Sequence, residues 1–301
     1  MDWNIFYTDY IYVLIVAGVM LLSGYCSAYN ILGKVYNFIS KVIKNKKWLL
    51  VALSAVGGSL PIQGRIIATA GMFDTLLGKD THSELRPKFG ILNYIATHHY
   101  YMWSPLEKTI LIPMAVLNLS YFQILGYTWP LLLVCILALL SYITFGLKDI
   151  NSYDLDISKT SHTKPEKIPN PLSFIKWRTL GFVYGAIVLG NFVKLYSAEL
   201  LAWITSFQGN LFLVSLTAFV TSLIMGSSGK FAGIVAALCS IFGIQYLTYF
   251  MAIEFAGYLL SPTHKCNAIS CGYFGTPVKN YYNVLLIWAF TIIITGIVTI
   301  I

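Results

Sequence analysis

The chain has 301 residues, of which 57% are hydrophobic, 15% aromatic and only 11% charged, with a formal net charge of +8. Soluble domains carry about 25% charged residues, so a surface this poor in charge must have lipid as its main solvent. This excludes a disordered, fibrous, disulfide-stapled or nucleic-acid-binding protein. The five cysteines (Cys26, Cys135, Cys239, Cys266, Cys271) are scattered without a CxxC pair and read as small buried apolar residues.

The first ten residues hold Asp2 and Asp9 and no lysine. That is the wrong charge for a cleavable signal, so the apolar run 11–31 is expected to remain as a membrane span. Lys34, Lys41, Lys44, Lys46 and Lys47 follow it. Residues 48–77 are apolar but interrupted by Gly57-Gly-Ser-Leu-Pro-Ile-Gln-Gly-Arg65, which predicts a helical hairpin with its tip there. A polar loop carrying Lys79, Arg86 and Lys88 leads into 91–106, which breaks at Ser104-Pro105. The runs 107–126 and 128–147 are each long enough to cross ~30 Å of hydrocarbon. From Lys148 to Arg178 come ten charged residues with Pro165, Pro169 and Pro171, the composition of a linker. Spans are expected again at 180–198, 203–224 and 282–301, with broken segments at 225–244 and 245–263. The expected organisation is a first transmembrane repeat (1–147), a cytoplasmic linker (148–178) and a second repeat (179–301).

Lysine and arginine mark the cytoplasmic side. The cations of the first loops and of the linker share one side only if 48–77 enters and leaves the membrane by the same face, as a re-entrant hairpin. The opposite face then shows Asp2, Asp9 and Glu199, with Lys194 nearby. The expected topology is a multi-pass cell-membrane protein with N-terminus out, linker in the cytoplasm and C-terminus out.

The two parts of the chain echo each other. Tyr101-Met-Trp-Ser-Pro-Leu-Glu-Lys108 aligns with Tyr258-Leu-Leu-Ser-Pro-Thr-His-Lys265, and the first hairpin tip has a counterpart in Gly226-Ser-Ser-Gly-Lys230. With the linker inside, the two repeats have opposite orientations, the pattern of inverted-repeat carriers whose site lies where broken helices meet. Pro105 and Pro262 each remove a backbone donor. The freed groups must be buried in protein or line a polar cavity, and helix N-termini exposed there suit an anion.

The stretch Asn93-Tyr-Ile-Ala-Thr-His-His-Tyr-Tyr-Met-Trp-Ser-Pro-Leu-Glu-Lys108, with Gly58-Ser-Leu-Pro-Ile-Gln-Gly64 and Phe255-Ala-Gly-Tyr-Leu-Leu-Ser-Pro-Thr-His-Lys-Cys266, resembles a poorly characterised family of prokaryotic integral membrane proteins. That family belongs to the ion transporter superfamily, with gluconate, citrate, dicarboxylate and arsenite carriers. The resemblance implies paired hairpins and broken helices around one or two central sites, in a homodimer.

Charges at membrane depth cost ~2.5–3.5 kcal/mol each and need a partner or a purpose. Arg65 and Lys230 hold matched positions in the two hairpins, and Lys108 and Lys265 matched positions after the two breaks. These cations, with Ser59, Gln63, Gly64, Ser104, Ser227, Ser228, Ser261, Thr263 and His264, are the candidate anion-binding residues. The competing expectation is that the lysines snorkel to the interface. Glu254, Glu107, Thr97 and His98 are candidates for coupling to H+ or Na+, against which stands a purely structural pairing of both carboxylates. His98, His99 and His264 raise the question of a metal, but adjacent His98 and His99 diverge by about 100° on a helix and no Asp, Glu or Cys at ligand spacing is read beside the three, so neither a metal centre nor a cofactor is expected. No G-x-S-x-G, H-E-x-x-H, P-loop or G-x-G-x-x-G motif points to an enzyme. Trp3, Tyr7, Tyr10, Tyr12, Tyr281 and Tyr282 are expected as interface anchors.

The expectation is therefore an all-α polytopic membrane protein of two inverted repeats, each with a re-entrant helical hairpin and a Ser-Pro-broken transmembrane helix. Its expected activity is secondary transport of a small anion, an organic carboxylate or inorganic oxyanion, by alternating access. The alternative is a non-transporting membrane scaffold or partner subunit with a carrier-like fold.

Overall fold

In a computed structural model of the chain, the described residues are 41–59, 65–77, 84–105, 107–152, 170–175 and 210–301, with scattered positions at 14–39 and 177–206. The expected spans 11–31 and 180–198, most of the linker, and hairpin-tip residues Gln63 and Gly64 lie outside them. Every regular element among the described residues is helical. The first part holds α1 (Lys46–Ser59), α2 (Arg65–Leu77), α3 (Arg86–His98), α4 (Lys108–Leu117) and α5 (Tyr121–Ser141). The second part holds α6 (Leu211–Met225), α7 (Ser228–Phe242), α8 (Leu247–Leu260), α9 (Lys265–Phe274) and α10 (Val278–Val298). The order recurs: two successive helices, a helix that breaks, a ten-residue helix, and a long one.

Local chemistry sets the boundaries. The expected spans 107–126 and 128–147 are redrawn by it. The first helix stops at Leu117 because Asn118 turns left-handed (φ 53°). Ser120 and Gln123 then form a reciprocal capping box that starts α5, and the helical run continues to Gly146 through a π turn at its end. Caps satisfy backbone groups that apolar side chains cannot, so they override the hydrophobic run. Gly226 (φ 54°) and Gly275 (φ 65°) end α6 and α9 in the same left-handed way, a conformation that costs glycine nothing.

Two helices form the interior. In α8, residues Leu247 to Leu259 are all buried, and in α3 so are Phe89 to His98. A helix covered on every side is central. Around α3 pack α1, α2, α5 and α9, and around α8 pack α5, α6, α7 and α10. Small residues allow the closest approaches: a side chain at Gly257 would collide with the α6 backbone at Phe219, and one at Gly296 with Ala252.

The outer helices α5 (extended to Gly146) and α10 are long and apolar enough to cross a membrane, with 26 and 21 residues. At 1.5 Å per residue the shorter reaches about 31 Å, the thickness of a bilayer core. Their outward faces present Phe122, Trp129 and Phe145, and Ile287, Phe290 and Val298. Outward apolar faces of this kind mark contact with lipid or with another protein.

Contacts with α5 order the remaining pieces along it. Lys47 Nζ donates to the Thr144 carbonyl (3.0 Å), Lys46 Nζ to that of Asn151 (3.3 Å), and Tyr142 OH to that of Lys88 (3.0 Å). The starts of α1 and α3 therefore lie at the end of α5. Thr248 at the start of α8 instead donates to Tyr127 (2.7 Å), near the beginning of α5. The two buried helices start at opposite ends of the same outer helix.

Candidate functional site

Both buried helices break where a proline follows a serine, and the bonds lost there are replaced by side chains. After α3 a 3-10 turn runs from His99 to Met102, and Ser104 is buried beside the exposed Pro105. At the second break Asn267 Nδ2 donates to the carbonyls of Ser261 (2.7 Å) and Leu259 (3.3 Å). Tyr94 OH, from the other part of the chain, also donates to Leu259 (3.1 Å). The Asn267 amide is itself held by Tyr281 OH (2.9 Å). These carbonyls thus have partners within the protein, as burial requires.

The second hairpin tip rests on this break. Thr263 Oγ1 donates to the Ile224 carbonyl (2.9 Å) and pairs with Ser261 Oγ (2.9 Å). A Cβ on Gly226 would collide with both hydroxyls and with the His264 amide nitrogen. The first hairpin is tied to the first break in a similar way. Arg65 Nε donates to the Thr97 carbonyl (3.3 Å). Its guanidinium lies 4.1 Å over the Tyr100 ring and 4.8 Å over that of Tyr101, and it faces the Glu107 carboxylate at 3.6 Å.

These contacts bring four helix N-termini together. Arg65 opens α2, and Glu107 caps α4 by accepting from the Lys108 amide (3.1 Å). The Lys108 stem crosses Gly229 in the first turn of α7, 3.4 Å from where a Cβ would stand. Gly226, just before α7, abuts His264, which precedes α9. Amides at the first turn have no intrahelical acceptor, and each N-terminus carries about half a positive charge. Arg65 and three lysines add formal charge, with Glu107 the nearest carboxylate to Arg65.

The expected site residues separate into groups. Arg65, Thr97, His98, Ser104, Ser261, Thr263 and His264 are buried around the breaks. Lys265 is half-buried, and Lys108 and Lys230 are exposed. Ser227 and Ser228 are half-buried at the start of α7, where Ser227 makes no side-chain cap. Thr97 uses its hydroxyl on its own helix, donating to Asn93 (2.9 Å), so only its carbonyl meets Arg65. Ser59 ends α1, and Gln63 and Gly64 lie outside the described residues. Glu254 stands apart in the middle of α8, fully buried, with neither carboxylate oxygen hydrogen-bonded. Ser222 beside it donates to the Glu254 backbone carbonyl instead (2.7 Å).

Several residues of the site escaped the sequence. Tyr94 stacks on His98 (3.7 Å) and reaches His264 Nδ1 (3.0 Å). Asn93 Nδ2 bonds Ser270 Oγ (3.1 Å), and Tyr258 OH donates to Tyr101 OH (2.8 Å). Cys266 joins His98 and His264. The one local signal was polar residues inside apolar helices. Their partners are more than 150 positions away.

The architecture is that of an all-helical protein with two apolar helices of membrane-crossing length and a polar centre made from both parts of the chain. Residues 4–158 match the family described as protein of unknown function (DUF401). That is just over half of the chain, which belongs to this family. No curated protein and no solved structure shows a significant match.

Proposed function

We propose that the protein is a secondary active transporter of a small anion, an organic carboxylate or an inorganic oxyanion, coupled to H+ or Na+. The observation that supports this is the convergence of four helix N-termini with Arg65 buried among them. Such N-termini bind anions through free amides and dipole, and the Arg65 guanidinium adds a formal positive charge among them. We further propose a multi-pass chain of two inverted repeats with re-entrant hairpins. The recurring helix order supports it, as do the starts of α3 and α8 at opposite ends of α5. Lys46, Lys47 and residue 88 gather at the linker end of α5, as a hairpin entering and leaving by one face requires. Alternating access would then be a rocking of one repeat against the other, within a homodimer.

The test is thermal unfolding of detergent-purified protein against carboxylates, phosphate, sulfate and other oxyanions, each with and without Na+ at two pH values. A ligand at about 100 times its Kd adds roughly 2.7 kcal/mol of stability. The expected result is stabilisation by one anion class that disappears in Arg65→Ala. Unchanged stabilisation in both Arg65→Ala and Lys230→Ala overturns the cationic site. No response to any anion favours the scaffold alternative, to be pursued by capture of a partner on the 148–178 segment.

A further inference from the structure

His98 ends α3 and His264 precedes α9, and their rings lie 5.1 Å apart. In each ring Nδ1 faces a backbone carbonyl, which can only accept from it. His98 Nδ1 is 2.6 Å from the Tyr94 carbonyl. His264 Nδ1 is 3.2 Å from the Tyr258 carbonyl and 3.0 Å from Tyr94 OH, whose own proton goes to Leu259. Each Nδ1 therefore carries a hydrogen, and in the neutral ring the lone pair is on Nε2. Both Nε2 atoms are buried with no hydrogen-bond partner. A buried acceptor left unpaired is destabilising, and here two occur side by side.

Cys266, the second residue of α9, supplies a third donor. One ligand atom from each of His98, His264 and Cys266 lies within 4.8 Å of the others. We infer that these three residues bind a single zinc-class divalent metal ion. Two imidazoles and a thiolate make a borderline-soft set that suits Zn2+ or Co2+ and not the hard oxygen-seeking ions. Metal-bound histidines ordinarily donate their other ring N–H to a carbonyl, which fixes the tautomer. The bond from His98 Nδ1 to Tyr94 is of that kind, and so is that from His264 to Tyr258. On binding, each Nε2 donates its lone pair, and the Cys266 S–H bond breaks as the S–metal bond forms, its proton leaving to water. Bonds of about 2.0–2.3 Å in tetrahedral geometry place donors roughly 3.3–3.8 Å apart, so the site closes slightly around the ion. With three protein donors, the fourth position is left for a water or an anion. Arg65 stands beside this cluster, its Nε bonded to the carbonyl of Thr97, the neighbour of His98, and Glu107 at 3.6 Å offsets its charge.

The site does not depend on transport, and its test does not measure it. Full-length protein in detergent, reduced and stripped of metal with a chelator, is titrated with Co2+ and then Zn2+. The expected result is about one equivalent of Co2+ per chain with a thiolate-to-cobalt charge-transfer absorption that Zn2+ abolishes. Cys266→Ser should remove the absorption while keeping the elution volume and melting temperature of the parent. Cys271→Ser, one turn further along α9, should retain it. His98→Ala and His264→Ala should each weaken Co2+ binding by roughly tenfold or more. The wild-type titration decides the matter even where a variant fails to fold: substoichiometric Co2+ or no thiolate absorption overturns the site. So does an absorption that survives in Cys266→Ser.

Discussion

Tyr94 holds the two breaks in register. Its ring stacks on His98 at 3.7 Å, and its hydroxyl donates to Leu259 and accepts from His264. Tyr94→Phe keeps the stacking but removes both bonds, leaving the Leu259 carbonyl only the 3.3 Å bond from Asn267. Loss of a buried hydroxyl bridge costs about 1–3 kcal/mol, so the melting temperature in detergent should fall. An unchanged melting temperature would show that Tyr94 bridges nothing of consequence. Some residues of this centre were legible in the sequence. Arg65 stands out because a cation within an apolar segment needs compensation, and here it receives it from Glu107, two aromatic faces and a carbonyl. Cys266 was not legible, because a cysteine is equally at home as a small apolar residue. The arrival of His98 from α3 beside His264 completes its company.

Among the elements, the second hairpin tip is held to tighter tolerance than its glycine-serine composition suggests. Gly226 is left-handed (φ 54°) and touches Ser261, Thr263 and His264. An alanine there costs about 1–2 kcal/mol in backbone strain alone and must also push the tip off the broken helix. Gly226→Ala should therefore lower the melting temperature markedly, while Gly229→Ala, which meets only the flexible Lys108 stem at 3.4 Å, should leave it nearly unchanged. Equal effects at the two positions would mean that the tip is not docked on the break. The helix breaks themselves were readable from Ser104-Pro105 and Ser261-Pro262, since proline removes a donor wherever it falls. The boundary between α4 and α5 was not. It depends on Asn118 and on the reciprocal Ser120–Gln123 cap, short polar signals inside a run whose hydropathy is continuous.

For the whole molecule, the proposed topology places the linker and the C-terminus on opposite sides of the membrane. In a background lacking native cysteines, Ser161→Cys should react with a membrane-impermeant maleimide only in inside-out vesicles. Ile301→Cys should react only in intact cells. Labelling of both from one side would rule out this topology. The starts of α3 and α8 at opposite ends of α5 bear on the same question, because repeats of opposite orientation need their corresponding helices to enter from opposite faces.

Composition alone decided that the helices of this chain are mostly apolar, since only 11% of its residues are charged, well below a typical soluble domain. The two Ser-Pro pairs, the hairpin glycines and the conspicuous Arg65 followed from rules that act over a few residues. Tertiary structure decided what faces what. It covered α3 and α8 on all sides, gathered the starts of α2, α4, α7 and α9, and set His98 beside His264 and Cys266. Local propensity acts within a helical turn. A buried donor or acceptor must find its partner wherever the packed chain supplies one, and here that partner lies more than a hundred residues away.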